Sequence, residues 1–233
     1  MKRNRLKYSQ FKDFIVSLKK CNKCTEMKCR GKSLINFYGD YEFSTNIPSI
    51  WTDWFNRLDS EIMIIGQDWG PYNDMRRVHD LLNEDKSNWK EVIELEKSST
   101  KKMLGYYIEK SLGDKYLLND IFITNAIMCA RRGNNYRGNN ISLCRSSINC
   151  CENLLRQIEI VKPKIILTLG YYPLKSLSIV FGFNICSTLM ETINKYPEIV
   201  INDYIIIPLY HPVAQIKKSI QLEQYNRITK YIN

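Results

Sequence analysis

The chain has 233 residues, 44% of them hydrophobic, enough for one sizeable α/β domain with a buried core. No apolar run reaches the roughly 18 residues that span a bilayer, and the opening "MKRNRLKYSQFKDF" lacks an apolar signal core, so membrane and exported proteins are disfavoured and a cytoplasmic one is expected. Thirty-four Lys and Arg against 24 Asp and Glu leave a formal net charge of +10, which favours a polyanionic partner because neutralising phosphates releases counterions; the competing reading is a lysine-rich surface from AT-biased coding.

In chain order, "YSQFKDFIVSLKK" is an amphipathic helix that ends at a cysteine cluster, and "GKSLINFYGDYEFSTNIPSIW" reads as loop with a short strand. "EIMIIG" is a brief continuous apolar run before glycine, which suits a parallel strand covered on both faces. Residues 75–115 are charged and helical in pattern, clearest in "TKKMLGYYIEKSLG", with Gly113 as C-cap. "IFITNAIM" is a second strand, "NCCENLLRQIEIVK" a helix stopped before Pro163, and "KIILTLG" a third strand followed by the short helix "YPLKSLSIVFG". "DYIIIPLYHP" is a fourth strand running into a His-Pro turn, and "SIQLEQYNRITKYI" closes the chain as a helix. Strands alternating with helices predict a single domain over residues 1–233. Its architecture is a three-layer α/β/α sandwich around a mostly parallel four-stranded sheet.

In such sheets ligands gather beyond the carboxyl ends of the strands. There the first strand carries Gly66-Gln67-Asp68-Trp69-Gly70, the second Thr124-Asn125 and then Cys129, the third Gly170 with Tyr171 and Tyr172, and the fourth Tyr210-His211-Pro212. Each has a plain structural reading: Asp68 as a helix cap, Asn125 as a partner for sheet backbone, His211 as a core histidine. Together they offer a carboxylate, a carboxamide, an imidazole and aromatics on one edge, a set that can read a base, stack on a ring and hold a water.

The same residues resemble the uracil-DNA glycosylase superfamily. "GQDWG" matches its first motif, GQDPY in the best-known branch and GE-A/G-PG in the iron–sulfur branch. "FITNAIMCARR" and "KPKIILTLG" are similar to the second and third strands of the iron–sulfur branch, and "YHPVAQ" is similar to its HPA/S motif. The resemblance implies an enzyme that flips uracil out of single- or double-stranded DNA and hydrolyses its N-glycosidic bond, leaving an abasic site. It implies a catalytic Asp68 that holds the attacking water and a catalytic His211 that hydrogen-bonds the uracil O2. Base contacts fall to Asn125 and Trp69, and to Gln67, which through its side chain or backbone contacts the base or positions the loop. A monomer is expected, with Arg131 and Arg132 in the basic loop "CARRGNNYRGNN" touching DNA phosphates. Trp69 stands where the best-known branch has proline and Gly70 where it has tyrosine, so thymine exclusion passes to Trp69 or Tyr72. The base-stacking residue has no clear counterpart; Tyr72, His79 and Trp89 are the candidates in a divergent stretch. The rival readings are a fold-retaining nucleic-acid-binding protein without activity, a glycosylase for another deaminated base, and a cysteine-based redox or zinc module.

Eight cysteines in a chain expected to be cytosolic argue against a disulfide framework, and the spacing Cys21-x-x-Cys24 suggests metal or cluster ligation. The resemblance supplies the set: Cys21, Cys24, Cys129 and Cys150, with Cys144 as alternative fourth ligand, holding a structural [4Fe–4S] cluster. Zinc is the alternative occupant, since both take four thiolates.

Overall fold

A computed structural model describes residues 5–23, 28–29, 32–35, 54–70, 73, 98–131 and 140–232. Its elements begin with α1 (Arg5–Lys19), β1 (Lys28–Cys29), β2 (Lys32–Ile35), β3 (Ile62–Gly66), α2 (Ser99–Leu112), β4 (Phe122–Asn125) and β5 (Ala130–Arg131). They continue with α3 (Asn140–Val161), β6 (Ile165–Leu169), α4 (Tyr171–Phe181), α5 (Leu189–Lys195), β7 (Ile199–Ile201), β8 (Tyr204–Leu209) and α6 (Lys218–Asn226). The central sheet runs β4-β3-β6-β8-β7, parallel except for β7. It thus has five strands where the sequence predicts four. The extra strand is three residues long, too short to show a period, and it turns back on β8 through Asn202, whose φ of 51° is left-handed.

The apolar strand runs are explained by two covered faces. Met63, Ile65, Phe122, Ile166 and Ile206 point into one core layer with α1, α3 and α4. Ile62, Ile64, Ile123, Ile165, Leu167 and Ile207 point into the other, against α2 and α6. Alternate residues of one strand therefore feed different cores, which is why the strands read as unbroken apolar runs rather than alternating ones. A second, small sheet, β1-β2-β5, pairs Leu34 with Arg131 and Ile35 with Ala130, so the N-terminal cysteine region is fastened to the segment just after Cys129.

The outer edge of β4 is managed by an aromatic group. In the single turn Trp54–Asn56, the Trp54 indole N–H donates to the Ile123 carbonyl at 2.7 Å, and its ring stacks on Phe122 at 5.9 Å. Phe11 of α1 meets Trp54 edge-on at 5.6 Å. Lys7 donates to the Val161 carbonyl at the C-terminus of α3 and to the Leu58 carbonyl, a cation where the helix dipole favours one. No helix among the described residues is long and apolar enough to cross a membrane.

Trp54→Phe keeps most of the ring packing but removes the donor to Ile123, a buried carbonyl's partner. The expected loss is about 1–3 kcal/mol, read as a lower urea midpoint at unchanged m-value. A midpoint equal to wild type would contradict the edge-sealing role.

Candidate functional site

The site is built at the carboxyl ends of β3, β4, β6 and β8, four neighbouring parallel strands that all end on one edge. In the β3–β4 register Gly66 lies beside Asn125. A Cβ on Gly66 would sit 2.3 Å from Asn125 Oδ1, so the asparagine amide occupies the space a side chain would need. The chain continues in step: Ala126 N–H donates to the Gly66 carbonyl at 2.8 Å and Ile127 N–H to the Gln67 carbonyl at 2.9 Å. Behind the site, Thr124 donates to Gln157 Oε1 of α3 at 2.7 Å, which anchors the strand end from within the core.

Asn125 is 7% exposed, and no described residue hydrogen-bonds its amide. The amide therefore offers an uncommitted donor and acceptor at the strand end.

The loop after β3 bends at Gly70, with φ 81°, and the Asp68 carboxylate holds the bend. Gly70 N–H donates to Oδ1 at 2.7 Å, while Gln67 Nε2 donates to Oδ2 at 2.8 Å. The resemblance implies that Gln67, through its side chain or backbone, contacts the base or positions the loop; here its side-chain Nε2 donates to its neighbour Asp68. Trp69, assigned to frame the base, is 5% exposed and lies in the core layer under the sheet, tilted against Trp54 with ring centroids 5.6 Å apart. This geometry makes Trp69 an anchor for the loop, and its place after an apolar strand gave no way to tell an anchoring ring from a base-stacking one.

His211 is half-buried in the turn after β8, closed by Ala214 N–H donating to its carbonyl at 2.8 Å. Burial pushes the imidazole pKa below its ordinary value, and the charge of Asp68 opposes that shift, which places carboxylate and imidazole in each other's field. Two buried glutamines of α6 fasten this turn: Gln224 accepts from Tyr210 N–H at 3.3 Å and Gln221 donates to the Ala214 carbonyl at 3.4 Å. Neither glutamine stands out in the sequence as a site residue. Their signal is a pair of amides three apart on a helix face that also buries Tyr225.

The cysteine positions fall partly outside the described residues. Cys24 and Arg132 lie there, as do Tyr72, His79 and Trp89; Arg131 ends β5 and Cys144 lies within α3. Cys129 and Cys150 are buried and Cys21 is half-buried. Lys23 ion-pairs with Glu152 at 2.7 Å, Asn149 donates to its carbonyl at 3.0 Å, and its pKa is raised, chiefly by Glu152, with Cys21 and Cys150 adding to the effect. Cys21 and Cys150 therefore share one neighbourhood. Among the described residues no three candidate ligands gather closely enough to hold a metal ion.

Two outcomes test this geometry. Gly66→Ala pushes only the end of a side chain, so the melting temperature is expected to change little while any activity that uses Asn125 drops about 100-fold; unchanged activity would show that the amide is not at the reacting centre. For His211, the unfolded chain takes up a proton near ~6.5 that the folded chain refuses until a lower pH. Stability is therefore expected to rise with pH through the window just below that value and to be lost as pH falls through the folded pKa. His211→Asn should flatten this slope in thermal melts between about pH 5 and 7, and a slope unaltered by the substitution contradicts the assignment.

Residues 52–232 match the family model of the Uracil DNA glycosylase superfamily. No match was found among curated proteins. A match over well more than half of the chain supports a glycosylase-type hydrolase with DNA as its partner, and the chain belongs to the Uracil DNA glycosylase superfamily.

Proposed function

We propose that the protein is a monofunctional uracil-DNA glycosylase that acts by direct hydrolysis on uracil flipped out of DNA. The observation that carries this reading is the unspent amide of buried Asn125, on the same sheet edge as Asp68 and His211. A carboxamide presents one donor and one acceptor in a plane, which complements the O4 and N3–H of uracil.

In this reading, His211 donates a hydrogen bond to the uracil O2, where negative charge grows as the C1′–N1 bond breaks and its electron pair passes to the base. Burial keeps the imidazole neutral near pH 7, so it donates without carrying a proton to lose. A donor preorganised at such a position is worth about 3–4 kcal/mol. Asp68, its carboxylate already oriented by Gly70 and Gln67, holds the attacking water and stabilises positive charge on the sugar. The water oxygen bonds to C1′, its proton leaves through Asp68 to solvent, and the base departs. The net charge of +10 favours a phosphate backbone, with Arg131 and Arg132 as proposed contacts, and binding that weakens with salt. The protein acts as a monomer on single- or double-stranded DNA.

A [4Fe–4S] cluster held by Cys21, Cys24, Cys129 and Cys150 belongs to this reading. An all-thiol donor set suits it, Cys21 and Cys150 both lie near Lys23, and the β1-β2-β5 sheet ties the flanking segments together. The cluster would supply a structural tie and no step of the hydrolysis.

The test is incubation with uracil-containing oligonucleotides followed by cleavage of abasic sites. Strand breaks at the uracil position are expected, and Asp68→Asn is expected to slow them at least about 100-fold while DNA affinity stays within a few-fold. Absence of product from uracil, hypoxanthine and xanthine alike would sink the enzyme reading. For the cluster, anaerobically purified protein is expected to hold about four iron and four sulfide per chain, lost in Cys150→Ala; iron-free protein would refute it, and stoichiometric zinc would assign the site to that metal.

A further inference from the structure

We propose that Gln221 is a positioning residue that, with Gln224, sets the His211 imidazole through the backbone on either side of it. The kinetic consequences rest on the glycosylase reading of the site; the geometry does not. The β6–β8 register ends at Leu209, so the ladder does not reach the next N–H, that of Tyr210. Gln224 Oε1 accepts that N–H at 3.3 Å. Three residues beyond His211, the Ala214 carbonyl accepts from Gln221 Nε2 at 3.4 Å, and the Ala214 N–H donates back to the His211 carbonyl at 2.8 Å. Positions three apart share one helix face, so a single face of α6 grips the turn just before the histidine and just after it. Both glutamines are buried, and the helix that carries them is itself fixed, since Tyr225 beside Gln224 stacks on Tyr107 of α2 at 4.9 Å.

Gln221 contributes geometry at little benefit to stability. The Ala214 carbonyl already accepts the Ile216 N–H at 2.8 Å, so it keeps a partner without the glutamine. The other end of the same amide, Gln221 Oε1, is buried and meets no donor among the described residues. Turning the amide over would set two carbonyl oxygens against each other, so the direction of the group is fixed. An apolar side chain of similar size would remove the unmet acceptor and leave no new one. What it could not do is tie the turn to α6. The depth at which the turn is held decides how far the imidazole sits from water, and burial is the main cause of its lowered pKa.

Gln221→Met separates positioning from a structural role. Its melting temperature is expected to equal or exceed that of wild type, because an unmet acceptor is removed and none is created. The single-turnover rate of base release is expected to fall about 10-fold with KM changed less than about 3-fold. Gln221→Asn, whose amide is one carbon too short to reach Ala214, is expected to slow base release likewise. In a His211→Asn background Gln221→Met is expected to cost less than about 2-fold, because the group it places is gone. Full activity in both variants, or an equal loss with and without His211, would overturn the proposal. A readout independent of turnover is hydrogen exchange at the Ala214 N–H, expected to be about 10-fold faster in Gln221→Met while exchange in β6 and β8 is unchanged. An Ala214 amide as protected as in wild type overturns the proposal even if wild-type protein releases no base, which by itself would defeat only the glycosylase reading.

Discussion

Everything at the candidate site depends on one close approach: the Asn125 amide lying where Gly66 has no side chain. The two residues are partners in the β3–β4 register, and that register is set by apolar residues on both faces of both strands. Because side chains alternate strictly along a strand, a slip by one residue would turn Asn125 to the opposite face and bring Thr124 in its place. The cores thus hold the site in place from a distance. Met63 and Phe122 pack on one side, Ile64 and Ile123 on the other, and the polar pair can emerge only where the strands end.

The loop beyond Gly66 answers a second requirement, which is to leave the core without becoming slack. Trp69 returns to the hydrophobic layer and packs against Trp54, which itself seals the β4 edge and touches Phe11 of α1. An aromatic group of this size buries much surface for few rotatable bonds, so it fixes a short loop at low entropic cost. Asp68 and Gln67 are left between two fixed points, Gly66 in the sheet and Trp69 in the core. On the far side, the backbone of the His211 turn is fastened by the buried Gln221 and Gln224.

These constraints explain what could be read in the sequence. Four strands were legible because unbroken apolar runs before glycine or a His-Pro turn have few other uses, whereas their order in the sheet was not. The helices α1, α2, α4 and α6 followed from their periodicity, whereas α5 and the short β7 fell below the length at which a pattern shows. Asp68, Asn125 and His211 were legible as a set because polar residues at consecutive strand ends share one edge. The partner of each was not. Whether Trp69 frames a ligand or packs against Trp54 is decided by a residue fifteen positions away in the sequence. Gln221 and Gln224 were hidden for the same reason, since nothing in "SIQLEQYNRITKYI" shows that its amides meet the turn after β8.

The electrostatic balance of the site joins these parts. Burial keeps His211 below its ordinary pKa while Asp68 restrains the shift, so a neutral donor and a negative acceptor coexist on one edge. That pairing suits a reaction in which negative charge moves onto a base and positive charge onto a sugar. The most direct test of this mechanism is mass spectrometry of the small molecules released from uracil-containing DNA by the purified protein. Free uracil in equal amount to the abasic sites formed is the expected result; DNA that is bound while every uracil remains attached to its sugar would contradict it.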